Sequence, residues 1–257
     1  MTAAGTAPGT VWITGAGSGI GRATALRFLR AGAVVAGTAR RAETLDSLAA
    51  EAAGCTGRFH ALPADLTEAA ATAAVVRRIE TEIGPVRLAL LNAGTHRPMP
   101  GRDFSAATLR QLLEANVMTA ANGIEAVLPA MLARRSGQIA IVASLAGYGG
   151  LPTAAAYGAG KAALINMAEA LRLDLEGSGV AVRLVNPGFV KTPLTDRNRF
   201  PMPFLMPVEA AAARLWQALE YGRQFEIVFP WQFALIMKAL RLLPYPAYFP
   251  LVRRATG

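Results

Sequence analysis

Short apolar runs alternate along this chain with longer stretches of helical period, and that alternation constrains the fold more than any other feature of the sequence. Val11–Thr14, Val34–Thr38, Arg58–Pro63, Leu88–Asn92, Gln138–Ser144, Ala181–Asn186 and Glu226–Phe229 read as strands. Ile20–Ala31 reads as a helix, with Ile20, Ala23 and Leu26 on one stripe and Arg22, Arg27 and Arg30 facing outward. Such repeats predict an α/β chain: a doubly wound, seven-stranded parallel sheet with helices on both faces. A sheet buried on both faces needs continuous apolar strands, which accounts for much of the 53% apolar content against 17% charged. With 257 residues and no internal repeat, linker or low-complexity tract, one domain over residues 1–257 is expected.

Composition also excludes. The single cysteine, Cys55, rules out an intramolecular disulfide framework, and His60 and His96, with no CxxC or HExxH spacing, leave no metal site. Cys55 reads as an inert thiol and His60 as a packed or rim side chain in its strand. Met1–Gly9 has neither a basic flank nor an apolar centre, so it reads as a disordered lead rather than a signal peptide, and the expected location is cytoplasmic. The uncharged stretch Ser136–Gly160 is long enough to span a bilayer, but Gly147, Gly149, Gly150 and Pro152 break it. The formal charge of +9 raises nucleic acid as a partner; no recognised nucleic-acid module or basic–aromatic cluster supports it.

Directly after the first strand, Thr14-Gly15-Ala16-Gly17-Ser18-Gly19-Ile20-Gly21 opens a helix. A glycine-rich turn here lets backbone N–H groups approach a pyrophosphate, and the helix N-terminus adds partial positive charge. The spacing of Gly15, Gly19 and Gly21 resembles the TGxxxGxG turn of the short-chain dehydrogenases/reductases. Further matches follow in order: Asp65-Leu66-Thr67, Asn92-Ala93-Gly94 (with Leu91 where the family carries a first asparagine), Asn116, Ser144, the YxxxK pair Tyr157 and Lys161, and Asn186-Pro187-Gly188 with Thr192.

The resemblance implies a Rossmann-type fold and a nicotinamide dinucleotide held by Gly15, Gly17, Ser18, Gly19, Ile20, Gly21, Asp65, Leu66, Asn92, Ala93, Gly94, Tyr157, Lys161, Pro187, Gly188, Val190 and Thr192. NAD-preferring enzymes place an acidic residue at the end of the second strand, against the ribose 2′-OH. Ala39 stands there, followed by Arg40 and Arg41. Without the carboxylate a 2′-phosphate is not repelled, and a guanidinium can pair with it bidentately, so NADP(H) is expected over NAD(H).

Tyr157 and Lys161 are four apart and share one helix face. An ammonium beside the phenol is expected to lower its pKa toward neutrality, suiting Tyr157 to proton transfer at a carbonyl oxygen. Ser144, at a strand's carboxyl end, would hydrogen-bond the same oxygen. The resemblance adds contact of Lys161 with the nicotinamide ribose and a water held by Asn116 in a proton relay. His96, just after Asn92-Ala93-Gly94, lies near the expected cleft, where substrate contact is weighed against a bland packing role. The leading expectation is an NADP(H)-dependent oxidoreductase; the alternative is a non-catalytic NADPH-binding regulator, which would have no need of the Asn116, Ser144, Tyr157 and Lys161 set.

Residues 193–210 read as a substrate lid, where Phe200-Pro201-Met202-Pro203-Phe204-Leu205-Met206 points to a hydrophobic substrate. Residues 231–257 form an apolar extension with Lys238, Arg241, Arg253, Arg254 and no acid. Its start, residues 231–243, reads as one helix, apolar nearly all round and ended by Pro244 and Pro246. Three roles stay open for the extension: peripheral membrane contact through 231–254, a cover for the pocket, or a contact between copies. The resemblance implies a homodimer or homotetramer, unless the tail occupies the pairing surface.

Overall fold

A computed structural model describes residues 9–197 and 202–256. The lead through Pro8, the lid residues Phe200 and Pro201, and Gly257 lie outside the described residues.

Seven strands form one parallel sheet: β1 (Thr10–Thr14), β2 (Val34–Thr38), β3 (Arg58–Ala61), β4 (Val86–Leu91), β5 (Gly137–Val142), β6 (Val180–Pro187) and β7 (Glu226–Phe229). They lie in the order β3-β2-β1-β4-β5-β6-β7, every neighbouring pair parallel. The helices are α1 (Gly19–Arg30), α2 (Ala42–Ala52), α3 (Ala69–Arg78), α4 (Ala106–Leu113), α5 (Thr119–Ala133), α6 (Ala155–Asp174), α7 (Val208–Tyr221), α8 (Trp231–Arg241) and α9 (Tyr245–Thr256). This is the expected doubly wound, Rossmann-type architecture.

Alternation along each strand sorts the core into two layers. Trp12, Ala89, Leu91, Ile139 and Ile141 face one side and pack under α3, α5, α6 and α8. Val11, Ile13, Leu88, Leu90 and Ala140 face the other, under α1, α2 and α7. Each fully buried Val, Ile or Leu stabilises by about 1.5–3 kcal/mol, so these double-sided strands outweigh any surface ion pair. Trp12 is wholly buried, and its indole N–H donates to the Thr38 hydroxyl at 3.0 Å, tying β1 to β2. Arg183, a buried cation in β6, donates to the Gly222 and Ala218 carbonyls at 2.9 and 3.0 Å and so caps the C-terminus of α7.

The strand ends differ from expectation where function concentrates. Asn92 and Ser144 lie just past β4 and β5, because the chain turns out of the sheet as soon as side-chain oxygens replace ladder partners. Asn92 N–H donates to the Thr14 hydroxyl at 2.9 Å, and Ser144 caps a short 3₁₀ turn over Leu145–Gly147.

The tail needs a larger correction: two helices stand where one was expected. Pro246 falls in the first turn of α9, where its missing N–H costs nothing. As expected, α8 carries apolar side chains on more than its packed side: Ala234 and Met237 are buried, while Trp231, Leu235 and Ile236 are exposed. Among the described residues no helix is long and apolar enough to cross a membrane.

Candidate active site

The order of the strands reverses between β1 and β4, and a crevice opens at their carboxyl ends. The glycine turn sits there because glycine alone fits. Gly15 has a φ of +68°, and a Cβ on Gly21 would lie 2.4 Å from the Gly15 carbonyl oxygen and 2.5 Å from Asn92 Nδ2. Asn92 Nδ2 donates to the Thr14 carbonyl at 3.1 Å, and the Thr14 hydroxyl accepts from the N–H groups of Asn92 and Ala93, both at 2.9 Å. Asn92 is thus a brace for the turn. Thr14, which sequence reasoning passed over, is the other half of that brace; a hydroxyl at the last position of β1 was its only signal.

A cleft of about 530 Å³ follows the crevice and gathers Gly15, Gly17, Ser18, Ala39, Arg40, Arg41, Asp65, Leu66, Ala93 and Gly94 on its walls. Thr67, of the Asp65-Leu66-Thr67 match, lines it too, as do Thr38, Thr44, Thr95 and Thr119, which were not foreseen. Arg40 and Arg41 are exposed on its rim. Asp65 accepts from the Thr67 N–H at 3.0 Å and the Thr67 hydroxyl at 2.8 Å; these bonds, with a smaller contribution from Arg40, hold its carboxyl below the usual range. Asn122 on α5 clamps the same loop, donating to the Leu66 and Thr67 carbonyls at 2.9 and 3.1 Å.

The other candidates stand off this cleft. Ile20 is partly buried at the start of α1. Thr192 lies over the same helix start: a Cβ on Gly19 would meet its Cγ2 at 3.3 Å. Val190 is buried, and the base of the lid is stapled by backbone bonds from Lys191 N–H to Met206 O (2.8 Å) and from Met206 N–H to Phe189 O (2.9 Å). Pro187 accepts from the Ser144 hydroxyl at 3.3 Å, which links the Pro187-Gly188 segment to the proton-handling side of the crevice.

That side is built from β5 and α6. Ser144 Oγ accepts from the Ala146 N–H at 3.1 Å, fixing its rotamer. Tyr157, in the first turn of α6, packs against Met99, Leu112 and Ala156, and the Lys161 ammonium lies 5.5 Å from its ring centre. Lys161 is buried and donates to the Val142 carbonyl at 3.0 Å. Here one expectation is overturned. Burial pushes the Tyr157 phenol up to about 12, with only a partial opposing pull from the Ser144 hydroxyl, and pushes the Lys161 ammonium down to about 8. In the folded chain desolvation outweighs the neighbouring charge.

Asn116 occupies a π-helical turn, Glu114–Met118, between α4 and α5. Its amide donates to the Leu112 and Thr95 carbonyls at 2.7 and 3.0 Å and accepts from the Thr95 N–H at 3.1 Å. A side chain that takes over main-chain partners in this way widens the helix locally. A Cβ on Gly94 would fall 2.5 Å from Asn116 Oδ1 and 3.7 Å from Lys161 Nζ, so Gly94 keeps open the space between them.

His96 is brought in as well: its ring stands edge-on to Tyr157, centroids 4.6 Å apart. His60 remains in β3, partly buried, its pKa lowered by burial and by Arg58 and Arg78. Cys55 is a free, partly buried thiol, and among the described residues no cluster of metal-ligating side chains occurs.

A second polar cluster was not foreseen. Glu226 accepts from Tyr148, Asn186 and Lys238, and Arg241 donates to the Tyr148 carbonyl at 3.3 Å. Two of the tail's cations are therefore engaged within the chain.

The sequence pattern of the short chain dehydrogenase family matches residues 9–201. An uncharacterized oxidoreductase of Myxococcus xanthus (strain DK1622) is 38% identical over 245 residues, covering 95% of this chain and 96% of that protein. The 3-oxoacyl-[acyl-carrier-protein] reductase FabG of Thermotoga maritima is 34% identical over 190 residues, covering 72% of this chain and 75% of its own length. Among solved structures, a short-chain dehydrogenase from Sphingobium yanoikuyae in complex with NADPH superimposes with a TM-score of 0.80 at 29% identity, over 91% of this chain and 92% of the other.

Proposed function

We propose, because the chain belongs to the short chain dehydrogenase family, that it is an NADP(H)-dependent oxidoreductase interconverting a hydrophobic ketone or aldehyde with its alcohol. The observation that carries this reading is the convergence of Ser144, Tyr157 and Lys161 beside a cleft walled by the glycine turn.

The residues present fit a dinucleotide. The cradle made by Gly15 and Gly21 excludes side chains, and the start of α1 points N–H groups into it. Arg40 and Arg41 on the rim, beside Ala39 rather than a carboxylate, suit a 2′-phosphate, and the related Sphingobium protein was solved with NADPH. When bound, the nicotinamide supplies or takes up the hydride.

Tyr157 handles the proton. Its phenol remains protonated at neutral pH, as an acid donating to the substrate's carbonyl oxygen must be, and it takes the proton back in the alcohol-to-carbonyl direction. Ser144, held by Ala146 and Pro187, presents its hydroxyl to the same oxygen and stabilises the developing charge. Lys161 favours the phenolate once Tyr157 has given up its proton, and Asn116, bonded to the Thr95 backbone, borders the space that Gly94 keeps open toward Lys161. A regulator without turnover would gain nothing from these placements. The lid at 193–210 and the extension at 231–257 complete the same unit, which we read as assembling into a homodimer or homotetramer. Peripheral membrane contact receives less support, since Lys238 and Arg241 are committed to Glu226 and Tyr148.

Tyr157→Phe tests the proposal. NADPH oxidation against long-chain and aromatic carbonyls should fall by at least about a thousandfold, with NADPH affinity, read by tryptophan quenching, nearly unchanged. A variant that still turns over would overturn the mechanism.

A further inference from the structure

Three phenylalanines from three separate segments stack on one another over Gly188, next in the chain to Pro187. Phe189 follows β6, Phe204 belongs to the lid and Phe233 sits in the first turn of α8. Phe233 is central: its ring lies 5.4 Å from Phe189 at 23° and 6.3 Å from Phe204 at 30°. We infer that Phe233 is a specificity-determining residue, forming with Phe189 and Phe204 an aromatic shelf that takes the flat apolar body of the carbonyl substrate.

The position of the shelf supports this. A Cβ on Gly188 would meet Phe233 Cδ1 at 3.0 Å and Leu145 Cδ1 at 3.3 Å, so the Phe233 ring rests on Gly188 with Leu145 alongside. Gly188 follows the Pro187 carbonyl that holds the Ser144 hydroxyl, and Leu145 follows Ser144 itself. The shelf therefore packs on the two segments that carry the Ser144 hydroxyl and its Pro187 acceptor, and a side chain at residue 188 would displace the Phe233 ring.

The tail is fastened where such a shelf needs rigidity. Lys238 on α8 pairs with Glu226, Arg241 donates to Tyr148 O, and the Tyr248 hydroxyl of α9 donates to the Gly150 carbonyl at 2.7 Å. All three bonds lead to β7 or to the loop that starts at Ser144. They hold α8 as a wall of the site, and they explain why a helix with exposed apolar side chains lies against this face of the sheet.

The lid completes the arrangement. Phe204 is 46% exposed and its backbone sits in the left-handed region with φ of +57°. An aromatic residue adopts that conformation only where its surroundings hold it there. Stacked rings with one open side prefer a further flat ring or a planar unsaturated surface over a bulky polar group.

The inference rests on the reading of the chain as an oxidoreductase for apolar carbonyls, and its test separates the two. Wild type, Phe233→Leu and Phe233→Ala are compared on 2-acetonaphthone and 2-butanone, which present the same methyl ketone on a large flat body and on a small one. The ratio of kcat/KM for acetonaphthone over butanone should fall roughly tenfold in Phe233→Ala, mainly through KM, and by less in Phe233→Leu. An unchanged ratio overturns the inference. Binding of the fluorescent alcohol 1-(2-naphthyl)ethanol to each protein with NADP⁺ present, read by anisotropy, decides the case in which wild type reduces neither ketone. Weaker binding in the variants then keeps the shelf while the turnover reading falls, and equal or absent binding overturns the shelf. Phe233→Leu preserves apolar volume, so it carries the test where Phe233→Ala fails to fold.

Discussion

The Lys161 ammonium lies 5.5 Å from the centre of the Tyr157 ring and spends a hydrogen bond on the Val142 carbonyl at 3.0 Å. A buried cation on such an anchor serves chemistry at the expense of stability. The folded lysine releases its proton near 8, whereas an unfolded one holds it to about 10.4. Below pH 8 the unfolded chain carries the charge more easily, and that cost fades as pH rises from 8 to about 10.4. Lys161→Met should therefore abolish turnover yet raise the melting midpoint of the cofactor-free chain at pH 7 by about 2–6 °C. The gap should narrow by pH 10. A variant that melts below the parent at pH 7 would show that the Val142 bond outweighs desolvation.

Arg40 and Ala39 decide the choice of dinucleotide in this reading, because both line the cleft, Ala39 replaces the carboxylate that would face a 2′-phosphate, and the nearby Asp65 carboxylate is tied to Thr67. Hydrogen bonds to charged groups are worth about 1.5–3 kcal/mol, or roughly 10- to 100-fold in affinity. Arg40→Asp should lower the NADP(H) over NAD(H) preference in kcat/KM by that factor. Steady-state kinetics with both cofactors checks it, and an unchanged preference would remove Arg40 from the site.

Gly21 has no room for a methyl group. A Cβ there meets the Gly15 carbonyl oxygen and Asn92 Nδ2, both parts of the braced turn rather than flexible side chains. Gly21→Ala should destabilise the fold by about 1–3 kcal/mol and raise the NADPH dissociation constant severalfold. Denaturant melts and tryptophan quenching read the two effects separately; normal stability with normal affinity would contradict the packing.

What the sequence made legible was periodic or local. Alternation in β1 placed Trp12 on one face and Val11 and Ile13 on the other, and the four-residue spacing put Tyr157 and Lys161 on one face of α6. Quantities that depend on what surrounds a side chain were not legible. The phenol of Tyr157 shifts opposite to expectation because the pattern shows its charged neighbour and not its desolvation. Resemblance alone marks Asn116 as a site residue, and the π-helical turn that it occupies depends on Thr95, 21 positions away, for its partners. The Glu226 cluster joins Tyr148 to Glu226, 78 positions apart, a link no spacing rule encodes. In the tail the two prolines read as a stop, although the second of them fits the first turn of a new helix.

Glu226 is the hub whose titration ties the tail to the active-site loop. Burial pushes its carboxyl up, but hydrogen bonds from Lys238, Tyr148 and Asn186 outweigh burial and hold it below its usual value. For the same reason Tyr148 is raised well above an ordinary phenol, first by burial and then by the carboxylate it donates to. A carboxyl depressed by folding stabilises at pH values above its unfolded pKa of about 4.3, and that contribution is lost as pH falls through the lower folded value. Glu226→Gln should thus lower the melting midpoint at pH 7 by about 3–8 °C, the equivalent of about 1–3 kcal/mol. The difference from the parent should shrink as pH is lowered below about 4.3 and on through the depressed folded value, where the parent's own carboxylate takes up its proton. Because Asn186 directly precedes the Pro187 carbonyl that holds Ser144, the same variant should also lower kcat while NADPH affinity stays near that of the parent. A pH-independent stability difference would mean that Glu226 acts through packing and not through its charge.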